Sequence, residues 1–285
     1  MHGEGGGNVQ LSAAVQVCIR PGPTIQFGVD SARAGVFDAV AATAVQPVAL
    51  ALLTARHAVP VRTVSAGLVA AGLSDAAARS LIEDLLNYRV LHPVPAEPMA
   101  AVCGTGVLAE RIAGMLRQCG VTVRLPVPGE SDAAFVARAT ADHALPVVAV
   151  HPSAAAAHAL AGHASTWFPV QLIDGRGHLG PLHIDGVGAC PMCLELWRAA
   201  LDPTWGALDP WEPAPAPDPP VVAATVARVV ACVVAYLRYG PEPPGTQAVA
   251  LAPGDVQEID VYAEGIRHWH VAAHPGCPAC WSATG

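Results

Sequence analysis

Two short steps, "ACPMC" at 189–193 and "GCPAC" at 276–280, constrain this chain more than any other feature. Each is a Cys-Pro-x-Cys, and 84 positions separate them (277 − 193). Each tight turn presents two sulfurs on one side. Together Cys190, Cys193, Cys277 and Cys280 can close a tetrahedral thiolate site for Zn²⁺, which takes four ligands at about 2.3 Å. The competing readings are a redox pair or two buried reduced pairs. The opening "MHGEGGG" is polar and Gly-rich, so neither a signal nor a transit peptide is expected. Eight cysteines without a secretion signal fit a reducing cytoplasm, and no thioredoxin-like context surrounds either pair. The spacing therefore predicts zinc. Four sulfurs leave no open coordination position, so that zinc is structural, and His274 is a spare donor such a site does not need.

Charge narrows the function classes. The net charge is −8, all fifteen cations are arginines and no lysine occurs. An acidic chain carries no electrostatic footprint for nucleic acid or anionic membranes. The missing lysine removes Schiff-base chemistry and the usual phosphate-binding ammonium. The longest apolar stretch, 221–239, has Arg228 near its middle and Pro-rich flanks, and reads as a buried helix rather than a membrane span.

A length of 285 residues allows two domains. After a tail over 1–12, "AVQVCIR", "TIQFGVD" and "AGVFDAV" alternate apolar and polar residues between Pro/Gly and "SAR" turns, which predicts an antiparallel meander. Helical patterns follow at 47–57, near 64–71 and at 74–88, the last with Ser74 and Asp75 as cap candidates. Three strands and three short helices over 13–93 suggest a winged-helix-like module, and the Pro-rich "HPVPAEP" at 92–98 ends it. From 94 to 285, strands alternate with Ala-rich helical patterns, as in an α/β domain with a largely parallel sheet. "QAVALAP", "DVQEIDVYAE" and "IRHWHVA" follow as closing strands.

Within that domain Gly104, Gly106 and Ala109 match G-x-G-x-x-A after an apolar strand, the context of a Rossmann nucleotide turn. The next strand ends in Arg124, where an acidic ribose-binding residue is expected, so a structural relic competes with a working ATP site. His178, His183, His268 and His270 are histidine candidates for a metal or catalytic role, against the commoner solvent-facing one. Nothing nominates a nucleophile.

In the N-terminal module, residues 1–97 hold six arginines and seven acids, and the 74–88 helix is acid-rich, which argues against a DNA-recognition helix. Such a fold also binds an extended peptide by adding a strand to the meander edge. The strand at 34–40 is then the docking edge, and the peptide-binding candidates are Ala34, Val36, Phe37, Asp38, Arg79, Leu81, Leu85 and Tyr88. A ligand-free dimerisation or docking domain is the plainer alternative.

The segment "GPLHIDGVGACPMCLELWRAALDPTW", together with "HPGCPACW", resembles the ThiF-like proteins of ribosomal peptide modification clusters. These are relatives of ubiquitin-activating-enzyme-like adenylyltransferases and of leader-peptide-binding components of azoline-forming cyclodehydratases. The resemblance implies a winged-helix-like peptide-recognition domain followed by a Rossmann-type domain with a four-Cys zinc site. It carries the zinc ligands onto Cys190, Cys193, Cys277 and Cys280, the leader groove onto the 34–40 strand and the 74–88 helix, and the nucleotide turn onto Gly104, Gly106 and Ala109. Adenylating relatives also use a lysine that this chain lacks, so the resemblance favours a non-catalytic branch. That branch holds a precursor's leader and delivers its core to a YcaO-type cyclodehydratase. An adenylyltransferase and a DNA-binding regulator are the alternatives, and a homodimer, common among the adenylating relatives, stays open.

Overall fold

The computed structural model describes residues 7–38, 41–94, 97–141, 145–207, 216–238, 245 and 250–283. The chain divides into two units, 1–96 with 235–249 and 97–234 with 250–285.

In the first unit, β1 (Asn8–Leu11) is followed by β2 (Val17–Arg20), β3 (Thr24–Phe27) and β4 (Gly35–Phe37), then by α1 (Val45–Leu53), β5 (Val59–Pro60), α2 (Val61–Ala70), α3 (Asp75–Asn87) and β6 (Leu91–Val94). Strands β2, β3 and β4 form the antiparallel meander, with Phe27 opposite Gly35 and Ile25 opposite Phe37. The 34–40 strand is shorter than its sequence pattern, and residues 39–40 lie outside the described residues.

The tail expected over 1–12 is corrected from Asn8 onward. Residues 8–11 form β1, the middle of a second sheet between β5 and β6. Its four-residue pattern is too short to stand out alone, and its ladder partners lie about 50 and 80 residues away in sequence, as the pairings Val9–Val59 and Val9–Pro93 record. Arg56 ties the β1–β2 connection down by donating to the Val15 carbonyl at 2.8 Å.

Helix α3 has clear causes. The Ser74 side chain accepts from the Ala77 N–H at 3.2 Å, and Ala78, Leu81, Ile82 and Leu85 form one buried stripe. Arg89 ends the helix in a left-handed conformation at φ 64°. The Val90 N–H then donates to Leu85 O at 2.9 Å and the Arg89 N–H to Leu86 O at 3.2 Å, which is a Schellman ending that sets Val90 against Leu85.

The second unit runs β7 (Met99–Cys103), α4 (Val107–Gln118), β8 (Thr122–Arg124), α5 (Asp132–Thr140), β9 (Val147–Val150), α6 (Ala154–His163), β10 (Trp167–Ile173), β11 (Arg176–Leu179), α7 (Pro191–Leu201), α8 (Pro219–Tyr236), β12 (Asp255–Ile259), β13 (Ile266–His270) and α9 (Pro278–Ala283). Its seven strands are ordered β13-β12-β11-β10-β9-β7-β8. Strands β8, β7, β9 and β10 are mutually parallel, whereas β11, β12 and β13 continue antiparallel, so the parallel character covers only one half. Of the three closing strands expected, two form as β12 and β13. The third, "QAVALAP", falls partly outside the described residues, and its described part is not a strand.

Helix α8 packs on the sheet because Gly177 has no side chain: a Cβ there would overlap the Thr225 side chain. Arg228, the charge inside this apolar helix, donates to the Gln257 side chain at 2.6 Å. By length and composition α8 could cross a membrane, but half of it is buried inside the structure.

Candidate metal centre and peptide groove

The two Cys-Pro-x-Cys steps fold alike. Cys190 is the N-cap of α7 with Pro191 in its first turn, and Cys277 precedes α9, which starts at Pro278. Proline suits that position because its missing N–H would have had no partner. Each pair therefore straddles the first turn of a helix, and Cys193 sits one turn beyond Cys190.

The four sulfurs converge. Cys190 Sγ lies 3.7 Å from Cys193 and 3.5 Å from Cys277, Cys193 lies 3.4 Å from Cys280, and all four are within 4.8 Å of one another. A tetrahedron with metal–sulfur bonds of about 2.3 Å has edges of about 3.8 Å, so the set fits a closed four-thiolate metal site. These are free thiols rather than disulfides.

The protons on them are unevenly held. A hydrogen bond from Cys190 lowers the Cys193 thiol to about 4 against the effect of burial. The same bond, with burial, pushes Cys190 up. Burial first, then the contact with Cys193, raises Cys280 to about 11. A dication held by the four cysteines would resolve that competition by taking every sulfur as thiolate. His274 stays out of the set: its Nδ1 accepts from the Gly276 N–H at 3.1 Å and its ring packs edge-on against Trp197.

In the first unit, a groove of about 530 Å³ opens between β4 and α3. Five of the eight sequence candidates line it: Val36, Phe37, Leu81, Leu85 and Tyr88. Leu81 and Leu85 are 4% exposed and form its floor, while Val36 is 51% exposed at the strand edge. Among the described residues β4 pairs only with β3, and none pairs with its other edge.

Tyr88 braces one end. Its hydroxyl donates to the Arg33 carbonyl at 2.8 Å, and its ring rests on Gly35, where a Cβ would come within 3.1 Å. The other three candidates are not among the lining residues. Ala34 belongs to the turn before β4, its N–H donating to Asp30 O; Asp38 follows the strand; and Arg79 Nε donates back to Asp75 O at 3.4 Å. Phe27, Asp84, Asn87 and Val90 also line the groove and escaped the sequence reading. The signal for Asp84 was present, since 81, 84, 85 and 88 share one helical face.

The glycine turn has both Gly104 and Gly106 at positive φ. Gly104 is at φ 99°, and a Cβ there would run into the Val150 carbonyl, so the glycine lets β7 pass β9. Its N–H donates to the Asp132 carboxylate at 3.2 Å. Burial, and second the Asp132 charge, push the Cys103 thiol up to about 12. Gly106 is the N-cap of α4, Ala109 is buried in that helix, and Arg124 donates to the Ala139 carbonyl at 2.9 Å. The Gly104 amide is thus engaged by a carboxylate of the chain itself.

The histidines do not gather. His183 stacks on Trp167 with centroids 3.7 Å apart and pairs with Gly188 O through Nδ1. His178 lies 3.9 Å from Glu258, and His270 lies 3.5 Å from Asp255. His268 faces Gln257 in the ladder. Among the described residues only the four cysteines group at metal-ligating distance.

No protein-family model and no curated protein matches the chain. Solved structures do. A heterocyclase in complex with substrate and cofactor superposes with a TM-score of 0.59 at 13% identity, over 96% of this chain and 39% of its own. The heterocyclase TruD gives 0.55 at 14% identity, over 96% and 43%. MccB of E. coli with succinimide gives 0.50 at 10% identity, over 96% and 99%. The likeness is one of fold. The chain spans about two-fifths of the length of the heterocyclases it matches.

Proposed function

We propose that this protein binds the leader segment of a ribosomally made precursor peptide and delivers it to a separate YcaO-type cyclodehydratase that forms azolines. The observation that carries the reading is a β4 edge with no strand partner among the described residues, beside a groove floored by Leu81 and Leu85. A peptide added to that edge gains main-chain hydrogen bonds, and every second side chain enters the groove. Each buried apolar side chain contributes about 1.5–3 kcal/mol, part of it offset by ordering the peptide. The fold likeness to heterocyclases, one of them holding substrate, supports the same class of chemistry. This chain spans about two-fifths of their length, and the proposal places the catalytic step on a separate partner.

Cys190, Cys193, Cys277 and Cys280 would hold Zn²⁺, which supplies a structural cross-link with no open position. The adenylyltransferase reading is disfavoured by Asp132 on the Gly104 amide and by the lack of any lysine. Cytoplasmic residence follows from reduced cysteines and is part of the proposal.

The test is fluorescence anisotropy with a labelled leader peptide from the precursor encoded beside this chain. Saturable binding is expected, weakened at least about 30-fold by Leu85→Arg, which puts a charge in the groove floor. Val36→Asp, at an exposed position, is the control that leaves folding intact and weakens binding about tenfold. No saturable binding, or binding indifferent to both changes, refutes the groove. ATP–pyrophosphate exchange stimulated by the peptide would instead establish the adenylating alternative.

A further inference from the structure

The groove is mostly apolar, with Asn87 and the Tyr88 hydroxyl as neutral polar groups in its lining. Among the described residues that line it, Asp84 alone is charged, and its carboxylate makes no hydrogen bond or ion pair with a described residue. It stands one turn from Tyr88 on the same face of α3, three residues after Leu81. The cation that precedes it on the helix, Arg79, is turned back to the first turn at Asp75.

We propose that Asp84 makes the groove selective for an extended peptide in which a basic residue, arginine above lysine, flanks the apolar anchors. This rests on the groove being a peptide site and adds what the peptide must carry. The chemistry is specific. A long aliphatic stem lies along the apolar lining while its charged head reaches the rim. There the carboxylate of Asp84 accepts its hydrogen bonds, and the Tyr88 ring offers a π-face that a planar guanidinium uses better than an ammonium. An acidic residue at that register would meet a like charge beside a low-dielectric wall. A partly solvated ion pair of this kind is worth about three- to fivefold in affinity, enough to bias selection and too little to replace the apolar anchors.

Panning a randomised dodecapeptide phage library on the immobilised full chain separates the two claims. The wild type should enrich sequences with apolar residues at alternate positions and Arg or Lys about three- to fivefold above background at one fixed offset. Asp84→Lys should keep the apolar consensus and exchange the basic preference for Asp or Glu. Raising the salt to about 0.5 M should shrink the bias and leave the consensus. An apolar consensus with no charge preference, or one that Asp84→Lys does not alter, overturns the role of Asp84 and spares the groove. No consensus, or one that survives Leu85→Arg, overturns both.

Discussion

Asp132 and Asp84 are the two acids whose meaning lies in what stands next to them. Asp132 accepts from the Gly104 N–H, so the glycine turn serves the chain's own packing, and Gly104 is there because the Val150 carbonyl leaves no room for a Cβ. Gly104→Ala is therefore expected to destabilise the second unit by about 2–3 kcal/mol, read as a lower denaturation midpoint. His151 and His178 offer a second check. Burial lowers both below the usual 6.5, against Glu258 in the case of His178. A depressed histidine is neutral in the fold and takes a proton more readily when unfolded. Its contribution is thus complete above pH 6.5 and is lost as the pH falls below it. Tm should be level from about pH 7 to 8 and decline on acidification. His151 sits at φ 47°, where asparagine is also at ease, so His151→Asn should flatten that decline without a fold defect. An unchanged slope would clear His151 of any part in it.

Among the elements, α3 carries the most consequence, because its buried stripe is at once the core of the first unit and the floor of the groove. Its cap is testable: Ser74→Ala should cost about 1 kcal/mol in urea unfolding, with the m-value unchanged. Periodicity was enough to place α3, the meander and the strand–helix alternation after residue 97, since each writes its exposed and buried faces into local sequence. It was not enough for β1. Four alternating residues after a glycine run are too short a pattern to stand alone, and pairing with β5 and β6 made them a strand. The same limit explains Phe27 and Val90 in the groove. Phe27 arrives through the β3–β4 register, and Val90 through the left-handed Arg89 that closes α3.

For the molecule as a whole, the four sulfurs join the loop before α7 to the chain's last helix. Metal analysis should find about one zinc per chain, and Cys277→Ser or a strong chelator should remove it. The thermal transition of the second unit should then fall sharply, while leader-peptide anisotropy, which depends on residues of the first unit, persists. Full thermal stability after complete zinc removal would reduce the cluster to an incidental one. What the sequence determined by itself was the donor set, the helix and strand periods and the acidic, lysine-free charge, because these are properties of residue type and spacing. The tertiary structure alone decided that the thiols meet within 4.8 Å, that Asp132 occupies the glycine turn and that Asp84 rather than Arg79 faces the groove. Those are encounters between segments distant in sequence or choices among neighbouring helix faces, and packing settles them where local pattern is silent.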